Sequence, residues 1–159
     1  MIYKSVTEMS SFELNIFISN LHDKIYEHLS EPINMIGLLP RLTEIDVLKP
    51  KIEDGVRLRP FYVVETYRLL GLPIFRNRLF SVIRLTKPNE ELEINIFSKP
   101  GIEVIFNYRL RQFNDGTTQL TQTVQFVKVN KLLAVFVEDL AKHAQRTILS
   151  NLKVRLENR

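Results

Sequence analysis

Histidines are the first side chains to test for chemistry, because an imidazole can be a general base or a metal ligand. The chain has three, His22, His28 and His143, and it has no cysteine. His22 and His28 are six residues apart in one predicted helix, so they point to opposite sides of it, and His143 falls on the polar face of the last predicted helix. We therefore interpret all three as solvated surface residues, and we predict no metal site.

Other reactive arrangements are also missing from the sequence. Without cysteine there are no disulfides, thiolate metal sites or cysteine nucleophiles. The five glycines are isolated at turns and form no phosphate-binding loop, and no Gly-x-Ser-x-Gly elbow is present. The sequence thus predicts no catalytic residue and no cofactor.

Positive charge is concentrated in one segment of the chain. Between Val56 and Pro88 there are seven basic residues and one acid, or +6, whereas the whole chain has 22 basic and 18 acidic residues, or +4. The excess is local, which argues for one basic face and against specific binding of nucleic acid.

The elements that position these residues follow from hydrophobic patterns. Residues 11–19 alternate as a strand, Asn20 is a candidate N-cap for a helix to about Leu29, and a second short helix is expected at about 31–38. Six strands follow, separated by hairpin-type turns, so the sheet is predicted to be antiparallel. They lie near 42–48, 56–69, 74–86, 91–98, 102–113 and 117–127.

A long amphipathic helix ends the pattern. Asn130 is its predicted N-cap, and it extends to about Asn158 with one apolar stripe. The stripe consists of Leu133, Val137, Leu140, Ala141, Ala144, Ile148 and Leu152. At about 1.5 Å per residue, roughly 28 residues span about 42 Å, enough to cross the whole sheet.

This order of elements resembles the START-like or pollen-allergen-like helix-grip superfamily (SRPBCC), with its polyketide-cyclase and lipid-transfer branch. The resemblance covers the chain from Ser11 onward and is carried by residues 18–21, 25–32, 35–40 and 115–121 and by the final helix. It implies an α+β helix-grip fold, with a curved antiparallel sheet of six or seven strands around a long C-terminal helix and two short helices after the first strand. It also implies one ligand-binding domain over 11–159, with 1–10 as an N-terminal arm or an added edge strand.

The alternation of the strands predicts which residues share the inner face of the sheet. Apolar positions match if Leu92 faces Tyr108, Leu110 faces Leu120, Ile83 faces Ile94, and Val64 faces Leu79. With the small residues of the last helix, this register gives a predicted set of ligand-binding residues. They are Tyr62, Val64, Asn77, Leu79, Ser81, Ile83, Ile94, Ile96, Phe106, Tyr108, Gln122, Val124, Leu140 and Ala144.

The predicted inner face contains no Asp, Glu or His, which argues against acid and base catalysis. The leading hypothesis is therefore binding or transport of a small hydrophobic, lipid-like or polyketide-like ligand between the sheet and the last helix. Small residues there, Ala141 and Ala144, either leave room for a cavity or let the sheet approach more closely. An aromatic cyclase that folds its substrate stays open as an alternative.

A second hypothesis is a protein-interaction module that acts through a basic and apolar outer face. The predicted register places on that face Arg57, Arg59, Phe61, Val63, Arg76, Arg78, Phe80 and Arg84. Arginine bordering aromatic residues is typical of interfaces. Such a face would bind an acidic protein, an anionic membrane surface or a second copy of the chain.

The remaining composition indicates an ordinary globular protein. Of its 159 residues, 45% are hydrophobic, yet the chain has no apolar run of membrane-spanning length and its first residues lack a secretory signal pattern. We therefore predict a cytoplasmic protein.

Overall fold

The protein was analysed as a computed structural model that describes residues 10–98, 101–129 and 134–159. The first strand, β1 (Ser11–Ile18), is followed by helix α1 (His22–Leu29) and a short 3₁₀ helix (Pro32–Met35). The remaining strands are β2 (Leu42–Val47), β3 (Lys51–Glu53), β4 (Val56–Leu69), β5 (Leu72–Lys87), β6 (Glu91–Ser98), β7 (Ile102–Gln112) and β8 (Thr118–Lys128). Helix α2 (Ala134–Glu157) ends the fold.

All the strands form one antiparallel sheet in the order β1-β8-β7-β6-β5-β4-β2, and β3 pairs with β4. The predicted antiparallel curved sheet with a C-terminal helix is confirmed. It has one short strand more than the seven of the sequence pattern, because β3 covers only three residues after Pro50 and has no measurable alternation.

Two of the predicted strand registers are confirmed in full. Leu92 faces Tyr108 across β6 and β7, and Leu110 faces Leu120 across β7 and β8. Ile83 also faces Ile94 across β5 and β6. These strands alternate cleanly between apolar and polar residues, so a slip of one residue would turn a whole apolar row toward water.

The predicted register of β4 and β5 is wrong by one residue. Val63, not Val64, faces Leu79, and Phe61, not Tyr62, faces Ser81. The hairpin turns through two residues, from Leu69 to Leu72, and a bulge follows between Tyr67 and Arg68. The bulge adds one residue to one strand, which a count from the turn alone cannot include.

The short helices begin differently from the sequence prediction. Helix α1 starts at His22, and Asn20 does not cap it. The Asn20 Oδ1 atom accepts a hydrogen bond from the Leu21 backbone N–H at 2.8 Å. The Asn20 Nδ2 atom donates to the carbonyl oxygen of Leu156 in α2, also at 2.8 Å. Only Pro32–Met35 of the predicted second helix is helical, as 3₁₀. The predicted cap Asn130 and the stripe residue Leu133 lie outside the described residues.

The C-terminal end of α2 ties the segment after α1 to the rest of the fold. The Arg155 guanidinium donates to the carbonyl oxygens of Asn34 and Ile36, at 2.5 and 2.7 Å. Gly37 has φ +83°, and a Cβ there would lie 2.8 Å from Arg155 Nη2. Glycine is therefore required both for the backbone conformation and for the passage of the arginine.

The β4–β5 hairpin extends beyond its neighbours at one end of the sheet. Pairing of β5 with β6 begins only at Phe80, and pairing of β4 with β2 reaches only Glu65. The tip carries exposed apolar side chains: Leu69, Leu70, Leu72, Ile74 and Phe75. Leu70 is 95% exposed and has φ +51°, a conformation that a branched side chain disfavours.

Candidate ligand-binding cavity

A cavity of about 250 Å³ lies between the inner face of the sheet and α2. Strands β4 to β8 form one wall, α2 forms the opposite wall, and α1 with the segment to Leu42 closes one side. Leu140 lines the cavity and is also 54% exposed, so the cavity reaches the surface near the start of α2. An engineered cavity of about 150 Å³ accommodates benzene, so this volume fits a small ligand with about two fused rings.

Half of the predicted ligand-binding residues line this cavity. They are Leu79, Ile94, Ile96, Phe106, Tyr108, Leu140 and Ala144. Ser81, Ile83, Gln122 and Val124 are buried on the same face of the sheet but do not line the cavity, and half-buried Asn77 does not line it either. Tyr62 and Val64 point away from the cavity, because the one-residue shift places them on the other face of β4. In their place Val63 and Glu65 line the wall.

The cavity follows from the small residues of α2. Ala141 and Ala144 both line it, so the sheet does not close onto the helix at these positions. The sequence left two alternatives for these alanines, room for a cavity or a closer approach of the sheet. The structure shows room for a cavity.

A polar cluster lies on one part of the wall, where three elements meet. Gln122 of β8 donates from Nε2 to the Tyr108 hydroxyl of β7 at 2.7 Å and to Gln145 Oε1 of α2 at 2.8 Å. Burial raises the pKa of Tyr108 to about 12, so its hydroxyl keeps its proton. Tyr108 and Gln145 line the cavity, and Gln122 Oε1 is buried with no partner in the described part of the chain.

Acidic side chains line the cavity, contrary to the prediction from sequence. Glu65, only 13% exposed at its side chain, accepts a hydrogen bond from Arg41 Nε at 3.1 Å through one oxygen. Its other oxygen accepts from the Tyr67 hydroxyl at 3.0 Å. Burial, and then the charge and hydrogen bond of Glu65, raise the pKa of Tyr67. Glu31 is a second acid at the wall, and the prediction of an acid-free inner face is wrong.

His28 is also part of the wall, and its predicted solvated position is wrong. It is 4% exposed and lies near the end of α1. By contrast His143 is exposed, and His22 is partly exposed with its backbone bonded to Gln112. The helical spacing of His28 gave no sign of burial, since what covers it is the distant C-terminal end of α2.

The apolar centre of the predicted interaction face does not exist on the surface. Phe61 is fully buried and Val63 is 1% exposed, both in the core, because the β4 register differs from the predicted one. Arg59 also turns toward the helices, where it donates to the Ser30 carbonyl oxygen at 3.0 Å and pairs with Glu31.

The charge of that face is largely matched by neighbouring strands. Arg76 pairs with Glu44 and Arg78 with Asp46, both acids of β2, and Arg84 pairs with Glu93 of β6. Phe80 is half-buried beside Tyr62 and Phe97, with ring centroids 5.4 and 5.9 Å apart, and Arg57 stays exposed. The charge count over residues 56–88 missed these pairs because it included no acids from β2 or β6.

Within the described ranges, no group of three or more His, Asp or Glu side chains is placed to hold a metal ion. None of the helices described is both long and apolar enough to span a bilayer.

No protein-family model and no curated protein sequence matches the chain. Solved structures do. The Zhui aromatase/cyclase from Streptomyces sp. R1128 is 16% identical, with a TM-score of 0.70 over 95% of each chain. A START superfamily protein from Mycobacterium smegmatis is 13% identical, with a TM-score of 0.67 over 93% of this chain and 97% of the other. A conserved protein from Geobacillus kaustophilus is 15% identical, with a TM-score of 0.68 over 94% of this chain and 96% of the other.

These similarities establish the fold at low sequence identity. The chain has the START-like helix-grip fold, as the order of its elements predicts. The fold places a cavity between the sheet and the last helix, and the side chains described above determine what that cavity can hold.

Proposed function

We propose that this protein binds, or carries, a small and mostly apolar molecule in the cavity between the sheet and α2. The observation that supports this proposal is the composition of the wall: aliphatic and aromatic side chains surround one polar cluster at Tyr108 and Gln145. Ligand sites typically combine an apolar lining with a few placed polar groups. The similar solved structures include an aromatase/cyclase and a START superfamily protein, which agrees with a hydrophobic ligand.

The volume limits the size of the ligand. About 250 Å³ lies just below the lower end of the range of roughly 300–1,000 Å³ for small-molecule sites. A ligand that buries about 300 Å² of apolar surface gains about 7 kcal/mol before the costs of association. We therefore expect binding of a compact molecule with at best micromolar affinity, and we expect a two-chain lipid to be excluded.

The wall favours binding over the aromatic-cyclase alternative. Both oxygens of Glu65 are occupied by Arg41 and Tyr67, so this carboxylate is not free to accept a substrate proton. Burial raises the pKa of Tyr108 to about 12 and, with the charges of Arg159 and Arg155, lowers the pKa of His28 to about 4, so both side chains are neutral near neutral pH. The Tyr108 hydroxyl can orient a carbonyl compound, but none of these groups is set up as a base.

The proposal is tested by extracting the purified protein into organic solvent and identifying co-purifying small molecules by mass spectrometry. Direct binding is measured in parallel by calorimetric titration with isopropylnaphthalene, an apolar probe of the expected size. We expect saturable binding of this probe, with at best micromolar affinity. No extracted ligand and no binding of any two-ring probe would overturn the proposal.

A further inference from the structure

The tip of the β4–β5 hairpin is uncovered on both of its faces. Every residue from Tyr67 to Arg76 is exposed. Successive residues of a strand point to opposite faces, so an unbroken exposed run means that neither face is covered. The large apolar side chains of this run are between 57% and 95% exposed: Leu69, Leu70, Leu72, Ile74 and Phe75. Contiguous exposed apolar surface of this kind marks a site of interaction with a protein or a membrane.

The tip also projects from the rest of the sheet. Strand β5 first pairs with β6 at Phe80, and it extends from there for eight residues to its start at Leu72, which is about 26 Å at about 3.3 Å per residue. A lipid phase can surround such a projection on every side, whereas a protein groove must be shaped around it. The geometry of the tip therefore favours lipid over a protein partner.

Leu70 has a backbone conformation that its side chain disfavours. Its φ is +51°, and Gly71 follows with φ +81°, the pattern of a two-residue turn that prefers Asn before Gly. Strained backbone of this kind is typical of functional sites. Because Leu70 is 95% exposed, its side chain contributes nothing to the core, and neither the turn nor the packing requires a leucine. A phase outside the chain that covers the side chain accounts for it.

The charged residues near the tip are all positive. Residues 66–78 contain three arginines and no acid. Arg76 and Arg78 pair with acids of β2, whereas Arg68 pairs with no acid of the described residues and donates to the carbonyl oxygen of Gly71 at 3.2 Å. Apolar side chains bordered by arginine suit the lipid–water interface, where the apolar groups enter the acyl region and the cations meet lipid phosphates.

The tip and the mouth of the cavity lie at the same end of the molecule. Strand β5 begins, β6 ends, β7 begins and β8 ends there, because these strands are antiparallel neighbours. The first turns of α2 are held at this end through Ser10, which donates from Oγ to Glu138 at 2.6 Å and accepts from the backbone N–H of Phe126. On α2, Phe136 and Leu140 are 65% and 54% exposed, and Leu140 lines the cavity.

We propose that the tip inserts into the lipid–water interface of a bilayer that contains anionic lipid, with Leu69, Leu70 and Leu72 among the acyl chains and Arg68 at the phosphates. Near the turn, the outer edges of β4 and β5 pair with no strand that the structure describes, so insertion stops at the depth of about 5–10 Å that is typical of interfacial segments. Docking turns the mouth of the cavity toward the bilayer. This inference goes beyond the proposed function, because the tip does not line the cavity and docking requires no ligand.

Co-sedimentation of the whole chain with vesicles tests the proposal. The vesicles consist of phosphatidylcholine alone or of an equal mixture with phosphatidylglycerol, and we expect the wild type to bind the mixed vesicles more tightly. Leu70→Asn should weaken this binding about tenfold or more, the factor for one leucine removed from an apolar phase. Because asparagine suits the turn, the variant stays folded.

The matched control is Ile52→Asn. Ile52 is 73% exposed, and its strand β3 pairs with the start of β4, at the opposite end of that strand from the tip. We expect this variant to bind vesicles as the wild type does. Arg68→Gln should weaken binding to the mixed vesicles by about fivefold, the contribution of one cation near an anionic surface, and leave binding to phosphatidylcholine unchanged.

Fluorescence reports directly on insertion. The chain has no tryptophan, so a single tryptophan at the tip reports on its own surroundings. The emission of Leu70→Trp should move to shorter wavelength when mixed vesicles are added, whereas the emission of Ile52→Trp should stay in place. No shift in Leu70→Trp, or the same shift in both variants, would contradict insertion of the tip.

Three further outcomes would overturn the proposal. The first is that the wild type binds neither kind of vesicle, or binds no more tightly than Leu70→Asn. The second is binding that salt abolishes and Leu70→Asn leaves unchanged, because it would be charge attraction alone. The third is a dimer in sedimentation velocity that Leu70→Asn dissociates, without vesicle binding, because the tip would then contact a second copy. None of them affects the proposed function, which is tested by titration with isopropylnaphthalene without vesicles.

Discussion

The Tyr108 hydroxyl lies 2.7 Å from the Gln122 side-chain nitrogen, and that same nitrogen lies 2.8 Å from the side-chain oxygen of Gln145. One amide thus joins two neighbouring strands to the helix across the cavity wall. All three side chains are at least nine-tenths buried, so each bond forms away from water. The cluster therefore contributes to stability as well as to the polarity of the cavity.

Replacing the central residue of this cluster tests its role. Gln122→Met keeps the volume and removes both bonds, leaving the buried groups of Tyr108 and Gln145 unpaired, so we expect a loss of about 2–3 kcal/mol in the free energy of unfolding. Tyr108→Phe should lower the free energy of unfolding by only about 1 kcal/mol, because the hydrogen bond from Gln122 to Gln145 stays in place. Urea unfolding of both single variants and of the double variant gives the coupling free energy between Gln122 and Tyr108. Strictly additive losses would contradict a shared network.

Filling the cavity from the helix side should block ligand binding. Ala144→Phe places a ring in the cavity, so we expect it to abolish binding of isopropylnaphthalene with less than about 1 kcal/mol loss of stability. The control is Val124→Phe, at a fully buried site that does not line the cavity, which should cost about 1–3 kcal/mol by overpacking. Thermal melts compare the stability of the two variants, and titrations compare their binding of isopropylnaphthalene. Equal destabilisation by both changes would show that the space at Ala144 cannot take a ring.

Neighbouring residues of β4 report its register. Phe61 is fully buried, so Phe61→Ala should lower stability by about 3–5 kcal/mol. Tyr62 lies on the other face, with the Arg78 guanidinium 3.7 Å from its ring centroid and Phe80 beside it. Tyr62→Ala should cost only about 1–2 kcal/mol. Chemical denaturation measures both, and a larger loss at Tyr62 would support the sequence-derived register instead.

The turn of the β4–β5 hairpin contains a residue that is unfavourable for its backbone. Leu70 has φ +51° and Gly71 has φ +81°, which is the pattern of a turn that prefers Asn before Gly. Leu70→Asn should therefore raise the free energy of unfolding by about 1 kcal/mol. Leu69→Asn, on the adjacent strand position, is the control and should give no gain. A neutral result at Leu70 would argue against backbone strain there.

The low pKa of His28 predicts a dependence of stability on pH. An unfolded histidine titrates near pH 6.5, and the folded one at about 4, so the unfolded chain takes up the proton first as the pH falls. The stability is fully present above about pH 6.5, decreases toward pH 4 and then levels off, with a total loss of up to about 3 kcal/mol.

Urea unfolding between pH 7 and pH 4 measures this effect. His28→Gln should flatten the slope, whereas His143→Gln, at an exposed site, should leave it unchanged. If the His28 variant and the wild type lose stability in parallel, the low pKa of His28 is not the cause.

Where strands alternate strictly, the sequence was enough to predict their register. Strand β7 alternates from Val104 to Leu110, and its partners follow the same rule, so their pairing could be predicted residue by residue. In β4 the run Phe61-Tyr62-Val63-Val64 is apolar at every position, so its period does not indicate which face is buried. The bulge at Tyr67 then decided the register, and with it half of the predicted interaction face.

The parts of the site that escaped prediction depend on distant residues. Glu65 is tolerated on the inner face because Arg41 and Tyr67, from two other positions, hold its oxygens. His28 is covered by the end of α2, more than a hundred residues away. Local spacing cannot reveal such partners. By contrast, the alanines of α2 can be recognised in the sequence as small side chains on the face of the helix that lines the cavity.

Helix α2 follows the entire sheet in the chain, and this order affects how the protein is made. Strands β4 to β8 pair with their neighbours in sequence, so they can assemble as they leave the ribosome. Only α1 and the segment to Leu42 then cover one side of their inner apolar face until α2 has been synthesised, and β1 must wait for β8, about a hundred residues later, before it pairs. A nascent chain halted before Ala134 is thus an aggregation-prone intermediate with an exposed half-core, and completion of the last helix, rather than of the sheet, is the step that makes the chain safe from aggregation.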